Sequence, residues 1–300
     1  MNEVLSALRV VMVWMLCTLT PLAGTSARAA LHCGLSATSP SGTYSADNAL
    51  TMDGSLTITC TRGAEDAQTQ LLWLGLNQPP TGRDLLQQGG PQRLPYALYR
   101  ARPELGLWTD TGERAEGDVN PGALLFTFDF LAAGSLSAQR VLTFNAHVAA
   151  GLHRQVGEYA DASAAAVLRH GSSAGPVLAS TLFTVGARIA DQCRITPPAA
   201  PLALSYTAFS KHDVQGTASF EVTCTLGTPY TLALDPPSAV MEAVDIRYRL
   251  LLDPTLGQGT AQPQRHTITG IAPAGQIGRC PVGAGSTCRA TRIHQIVVSY

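Results

Sequence analysis

The chain is almost without lysine. Lys211 stands alone among 20 basic residues, and the balance against Asp and Glu is a net charge of −1. Without a basic stripe there is no electrostatic footprint for nucleic acid. Charge of either sign is scarce, 14% of the residues against roughly 25% in ordinary soluble domains. No long amphipathic helical pattern runs anywhere, and there is no HExxH and no CxxC pair. These absences argue against a zinc site and a dithiol redox motif, so neither metal nor cofactor is expected. What the sequence does hold is 28 Gly and 19 Pro scattered among short apolar runs. That is the composition of an all-β protein with many turns. Its 300 residues exceed what one core usually holds, which points to two domains.

Residues 1–29 read as a secretory signal peptide rather than as fold. Arg9 precedes an apolar stretch, Val10 to Leu22, and the small-residue site Ala27-Arg28-Ala29 follows, with cleavage expected after Ala29. The stretch is too short to span a bilayer, and Leu16 before Cys17 is not the small residue a lipoprotein cysteine needs. Export makes the remaining cysteines, Cys33, Cys60, Cys193, Cys224, Cys280 and Cys288, candidates for disulfides in an oxidising compartment.

A repeat organises the rest. SLTITCTRG (55–63) and SFEVTCTLG (219–227) are both period-2 runs ending in Thr-Cys-Thr-x-Gly, each with a cysteine about thirty residues upstream. Leu56, Ile58 and Cys60 point to one face of a strand, as do Phe220, Val222 and Cys224. LWLGLNQPP (72–80) matches YTLALDPP (230–237), LPYALYR (94–100) matches IRYRLLL (246–252), and VAAG (148–151) matches APAG (272–275). Four matches in one order indicate two copies of one β domain, residues 30–170 and 177–300, joined by a linker at 171–176 within HGSSAGP. VLASTLFTVGARI (177–189) reads as the first strand of the second copy, and the sequence leaves open whether it instead completes the first. The layout pairs Cys33 with Cys60 and Cys193 with Cys224. Cys280 and Cys288 flank the Gly-rich PVGAGST and form the third candidate pair.

In this order the residues resemble the spore coat protein U-like domain of secreted bacterial pilins, the subunits of archaic (Csu-type) chaperone–usher pili. The first copy carries Cys33, Cys60, Tyr96 with Leu98 and Tyr99, Trp108, and Gly157, Tyr159 and Asp161. The second carries Cys193, Cys224, Tyr248 and the terminal IHQIVVSY, and it departs from the pattern where CPVGAGSTC and ATR replace Gly-x-Tyr-x-Asp. The resemblance implies tandem immunoglobulin-like sandwiches, one of them an incomplete pilin fold whose gap a chaperone fills first and a neighbouring subunit's strand later. It also implies an outer-membrane usher and a path through the periplasm to the cell surface. The second copy is expected to be the incomplete one. Only Ala30, Leu31 and His32 precede Cys33 after cleavage, too few for a donor strand. The expected place is therefore the fibre tip, as an adhesin that meets an abiotic or host surface and supports biofilm formation.

Contact with that surface is expected from loops 82–92, with Leu85 and Leu86, and 103–108, with Leu105, Leu107 and Trp108, because apolar side chains among Gly and Pro suit water-excluding contact. Tucking back into the core is the competing reading. Gly171-Ser172-Ser173-Ala174-Gly175 matches a nucleophile elbow, but no helix follows it. The seven histidines are scattered, and Glu104, Asp110, Glu113, Glu116 and Asp118 read as a solvated loop. No catalytic constellation is visible and the protein reads as a non-enzyme. The alternatives are a freestanding carbohydrate- or protein-binding sandwich and a secreted hydrolase.

Overall fold

The computed structural model describes residues 31–79, 81–100, 106–130, 134–280 and 287–300, and these form no helix. They build two β-sandwiches in tandem. The first is made of β1 (His32–Ala37), β2 (Ser41–Tyr44), β3 (Leu50–Thr61), β4 (Thr69–Leu76), β5 (Arg83–Gln87), β6 (Arg93–Arg100), β7 (Arg114–Ala115), β8 (Leu124–Asp129), β9 (Ser137–Val148), β10 (Gly157–His170) and β11 (Val177–Ile189). One sheet runs β1-β3-β9-β6; the other runs β2-β11-β10-β4-β8-β7, and β5 ties β6 to β10. Strand alternation decides what goes inside: on β3, Met52, Leu56, Ile58 and Cys60 are buried while Thr51, Asp53 and Thr59 face out.

The boundary read between the two copies is corrected by β11. Residues 171–176 are a hairpin turn, not a linker. β10 and β11 pair antiparallel from Gly157↔Ile189 to Arg169↔Val177. On its other edge β11 pairs in parallel with β2, from Gly186↔Ser41 to Ile189↔Tyr44. Phe183, Val185, Ala187 and Ile189 are all buried in the first core, and the Phe183 ring lies 5.0 Å from that of Phe144 on the facing sheet. Each large side chain so buried contributes about 1.5–3 kcal/mol. The junction is therefore Ala190-Asp191-Gln192, and the second domain begins after β11, not at 177.

The second sandwich is made of β12 (Cys193–Thr196), β13 (Val214–Cys224), β14 (Pro229–Asp235), β15 (Ser238–Met241), β16 (Ile246–Asp253), β17 (Leu256–Gln258), β18 (Gln264–Ala272) and β19 (Gln295–Ser299). Its sheets are β12-β13-β18-β16-β15 and β17-β14-β19. Among the described residues its central core cluster holds seven buried residues, Phe220, Val222, Cys224, Tyr230, Leu232, Leu234 and Ile268, against twenty-eight in that of the first.

Three disulfides staple the chain. Cys33 and Cys60 stand directly opposite on β1 and β3, with Cα atoms 4.1 Å apart. Cys193 and Cys224 repeat this on β12 and β13, also at 4.1 Å. Cys280–Cys288 spans 5.5 Å between Cα atoms. The first two bridges close loops with sequence separations of 27 and 31, and each contributes about 3–4 kcal/mol in the chain-entropy model. For a core of only seven buried residues that is the larger fraction of stability. Graded reduction of the full chain, followed by brief proteolysis, is thus expected to cut within 193–300 while the first sandwich stays intact. Simultaneous loss of both halves would show that the bridge does not carry the second one.

Candidate functional site

The repeat makes the two sandwiches comparable strand by strand, and one position differs. β10 lies between β4 and β11. Its counterpart β19 pairs with β14, the counterpart of β4, and its other edge carries no strand among the described residues. The far wall of the gap is also present. In the first sandwich Tyr44, at the end of β2, is buried and its hydroxyl accepts a hydrogen bond from Leu152 N at 2.9 Å. In the second, Tyr206 accepts the same bond from Gln276 N at 2.8 Å. The segment leading to Tyr206 alternates as β2 does, with Leu202, Leu204 and Tyr206 half-buried and Ala203 and Ser205 exposed, yet it forms no ladder. Among the described residues no strand pairs with it.

The side chains around the gap are apolar and incompletely covered. Ile296 and Val298 on β19, Leu250 and Leu252 on β16, Ile195 on β12 and Leu202 are all partly buried against the small core. Gly216 and Gly270 let the 201–206 segment lie close to its sheet: a Cβ on Gly216 would stand 2.2 Å from the Ala203 carbonyl oxygen. Chemically this is a slot for an extended chain with alternate apolar side chains, held by the free N–H and C=O groups of β19.

The Gly-x-Tyr-x-Asp motif serves the first sandwich. Asp161 Oδ2 accepts from Arg83 Nε at 2.7 Å and from the Tyr96 hydroxyl at 2.8 Å, and Oδ1 accepts from Ser163 N and Oγ. Burial alone would raise the Asp161 pKa, but the bonds from Arg83, Ser163 and Tyr96 prevail and hold it at about 2. Burial pushes the Tyr96 hydroxyl well above its ordinary range, with its bond to Asp161 adding to the effect. The cluster joins β5, β6 and β10 at a bulge between Asp161 and Ala164.

The apolar contact loops read from the sequence are corrected. Leu85 and Trp108 are fully buried, and the Trp108 Nε1 donates to Leu74 O at 2.9 Å. β5 alternates, so Leu85 points in and Leu86 out, half exposed. Leu107 is partly covered, bridged to Tyr99. Leu105 lies outside the described residues. The turn after β5 sits beside 155–158, where Gln88 N donates to Glu158 O, at the end from which the chain leaves for the second sandwich. No shared surface arises from the four of these residues that are described. Ser173 is in the β10–β11 turn, its N–H donating to Glu113. Among the described residues no group of three His, Cys, Asp or Glu stands together.

Comparison with known proteins finds one family model that matches part of the chain. The model of the Spore Coat Protein U domain matches residues 179–270. No curated protein matches the sequence. Among solved structures, the CsuC-CsuE chaperone–tip adhesion subunit pre-assembly complex from the archaic chaperone-usher Csu pili of Acinetobacter baumannii is similar at 13% identity and a TM-score of 0.49, over 89% of this chain and 100% of that chain. Escherichia coli alpha-2-macroglobulin activated by porcine elastase follows at 10% identity and a TM-score of 0.18, over 91% of this chain and 22% of that one. Neither likeness is close enough to carry a functional argument.

Proposed function

From a Spore Coat Protein U domain over residues 179–270, we propose that this protein is a chaperone–usher pilus subunit whose second sandwich is completed by a strand from a neighbouring subunit. The observation that carries the reading is the bare edge of β19, at the position where β10 holds β11. An unpaired edge beside an apolar slot is an aggregation hazard until filled, which is the physical need for a periplasmic chaperone before assembly and an usher to hand the chain on. The first sandwich supplies the template for the guest: a 13-residue strand, antiparallel to the edge strand, with alternate side chains buried.

The family match begins at Ala179, inside β11. In sequence β11 leads into the second unit; in space it completes the first. A leader strand engaged inside its own chain is not free to fill another subunit. The protein accepts a strand and offers none from this position, so it ends the fibre with the first sandwich outermost, on the cell surface. Strand directions set the loops at 62–68, 134–136 and 171–176 at the end opposite the 190–192 junction. Leu136 and Val177 are about half exposed there, and these loops, not 82–92 and 103–108, are the target-facing surface in this reading. Attachment and biofilm formation follow from that position.

The test is charge on the inner face of β19. Ile296→Asp with Val298→Asp is expected to remove the chain from sheared surface fibres, whereas Leu71→Asp, at an exposed site, leaves it there. A double variant that still incorporates would overturn the acceptor reading and favour a freestanding binding protein.

A further inference from the structure

The two sandwiches meet through contacts that have an unoccupied copy at the far end of the second. At the junction Val156 N donates to Leu226 O at 3.0 Å, Gln155 and Leu226 form an isolated parallel bridge, and the Gln155 side chain packs on Gly227. The first sandwich presents this surface from the turn after β9, where Gly151 has φ +82 and donates its N–H to Ala46 O. The turn after β18 repeats it: Gly275 has φ +76 and donates to Ser210 O, and Gln276 N bonds Tyr206 as Leu152 N bonds Tyr44. Counting from these paired anchors, Ile277 to Cys280 take the places of His153 to Val156.

On that second surface two large apolar side chains face outward, beside the exposed Arg279. Ile277 is 65% exposed and Phe209 66% exposed. Phe209 sits at φ +58, a left-handed conformation that a bulky residue adopts only when its surroundings impose it. The imposing contacts are its own N–H donating to Gln276 O at 2.8 Å and the Gln276 side chain clamped on both backbone groups of Arg247. The ring therefore cannot fold back into the small core.

We infer that the face bearing Phe209 and Ile277 docks the body of the neighbouring subunit, around that subunit's first disulfide, as residues 152–156 dock this chain's own second sandwich near Cys224. The inference rests on the strand-acceptor reading, because the guest must run parallel to 201–206, as β11 runs parallel to β2. It then emerges at this end, with its own domain a few residues beyond. The donated strand and the end face thus belong to one partner, and the contact fixes the angle at which the tip stands on the fibre.

A photo-crosslinking p-benzoylphenylalanine placed at Ile277 of the full chain, in cells that assemble the fibre, tests this. Val298 in the slot and the outward Leu182 of the first sandwich serve as comparison sites. The expected result is that positions 277 and 298 form adducts with the same fibre subunit and position 182 does not. Mass mapping should put the 277 adduct near the cysteine ending that subunit's second strand. An adduct at 298 without one at 277, or a 277 adduct only to a periplasmic chaperone, would overturn the docking face and leave the acceptor slot intact. No adduct at either position would remove both.

Discussion

Val185→Asp is expected to unfold the first sandwich, whereas Leu182→Asp, three positions earlier on the same strand, leaves it standing. Val185 is fully buried and Leu182 is 71% exposed. A carboxylate at 185 would lie in an apolar core with no partner, where ionisation costs several kcal/mol and loss of the valine contacts adds more. A total of about 5 kcal/mol is comparable to the whole stability of a domain. At 182 the change falls within about 0.5 kcal/mol, as for most surface sites. Intrinsic tryptophan fluorescence during urea titration reads this selectively, because Trp108 lies in the first core and Trp73 is buried on the same sandwich. If Val185→Asp left the fluorescence midpoint in place, β11 would not be the strand that closes this sandwich.

Asp161→Ala should be the next most damaging single change. It leaves Arg83 and the Tyr96 hydroxyl buried without their shared acceptor, the side chains of the ion pair being only 12% and 8% exposed. Removing one partner from such a pair costs about 3–5 kcal/mol. The effect depends on pH with a definite sign. The folded pKa of about 2 lies below the ordinary 3.8, so the carboxylate contributes stability above pH 4 and loses it as pH falls through 2. That linkage is worth about 2 kcal/mol. Urea midpoints of wild type and Asp161→Ala should therefore differ most near pH 6 and converge towards pH 2. A gap unchanged over that range would mean that the Asp161 charge is not what holds β5, β6 and β10 together.

The repeat was legible because it is local. Cys60 and Cys224 close alternating runs and each stands directly opposite its expected partner, and VAAG and APAG mark the same left-handed glycine. The ownership of β11 was not legible. Its alternation states that one face is buried but not against which core, since pairing with β10 and β2 is decided by contacts distant in sequence. Leu85 and Trp108 misled for a related reason. Gly and Pro on both sides suggested loops, while Leu85 lies on the inward step of a five-residue strand and the Trp108 N–H found a backbone carbonyl inside. The wall of the slot did leave a trace: Tyr44 and Tyr206 follow Cys33 and Cys193 at nearly equal distance.

The way β11 leaves the first sandwich also sets how the molecule bears load. The strand runs the length of that sandwich and continues through three residues into Cys193. A pull that holds the far loops and draws on the second half acts along the axis of β11. Its ladders to β10 and β2 are then strained together, in shear, and must slip as one. A strand hinged the other way would be peeled off one bond at a time. Tension along the chain thus meets the joint where the two halves share a strand as its most resistant element.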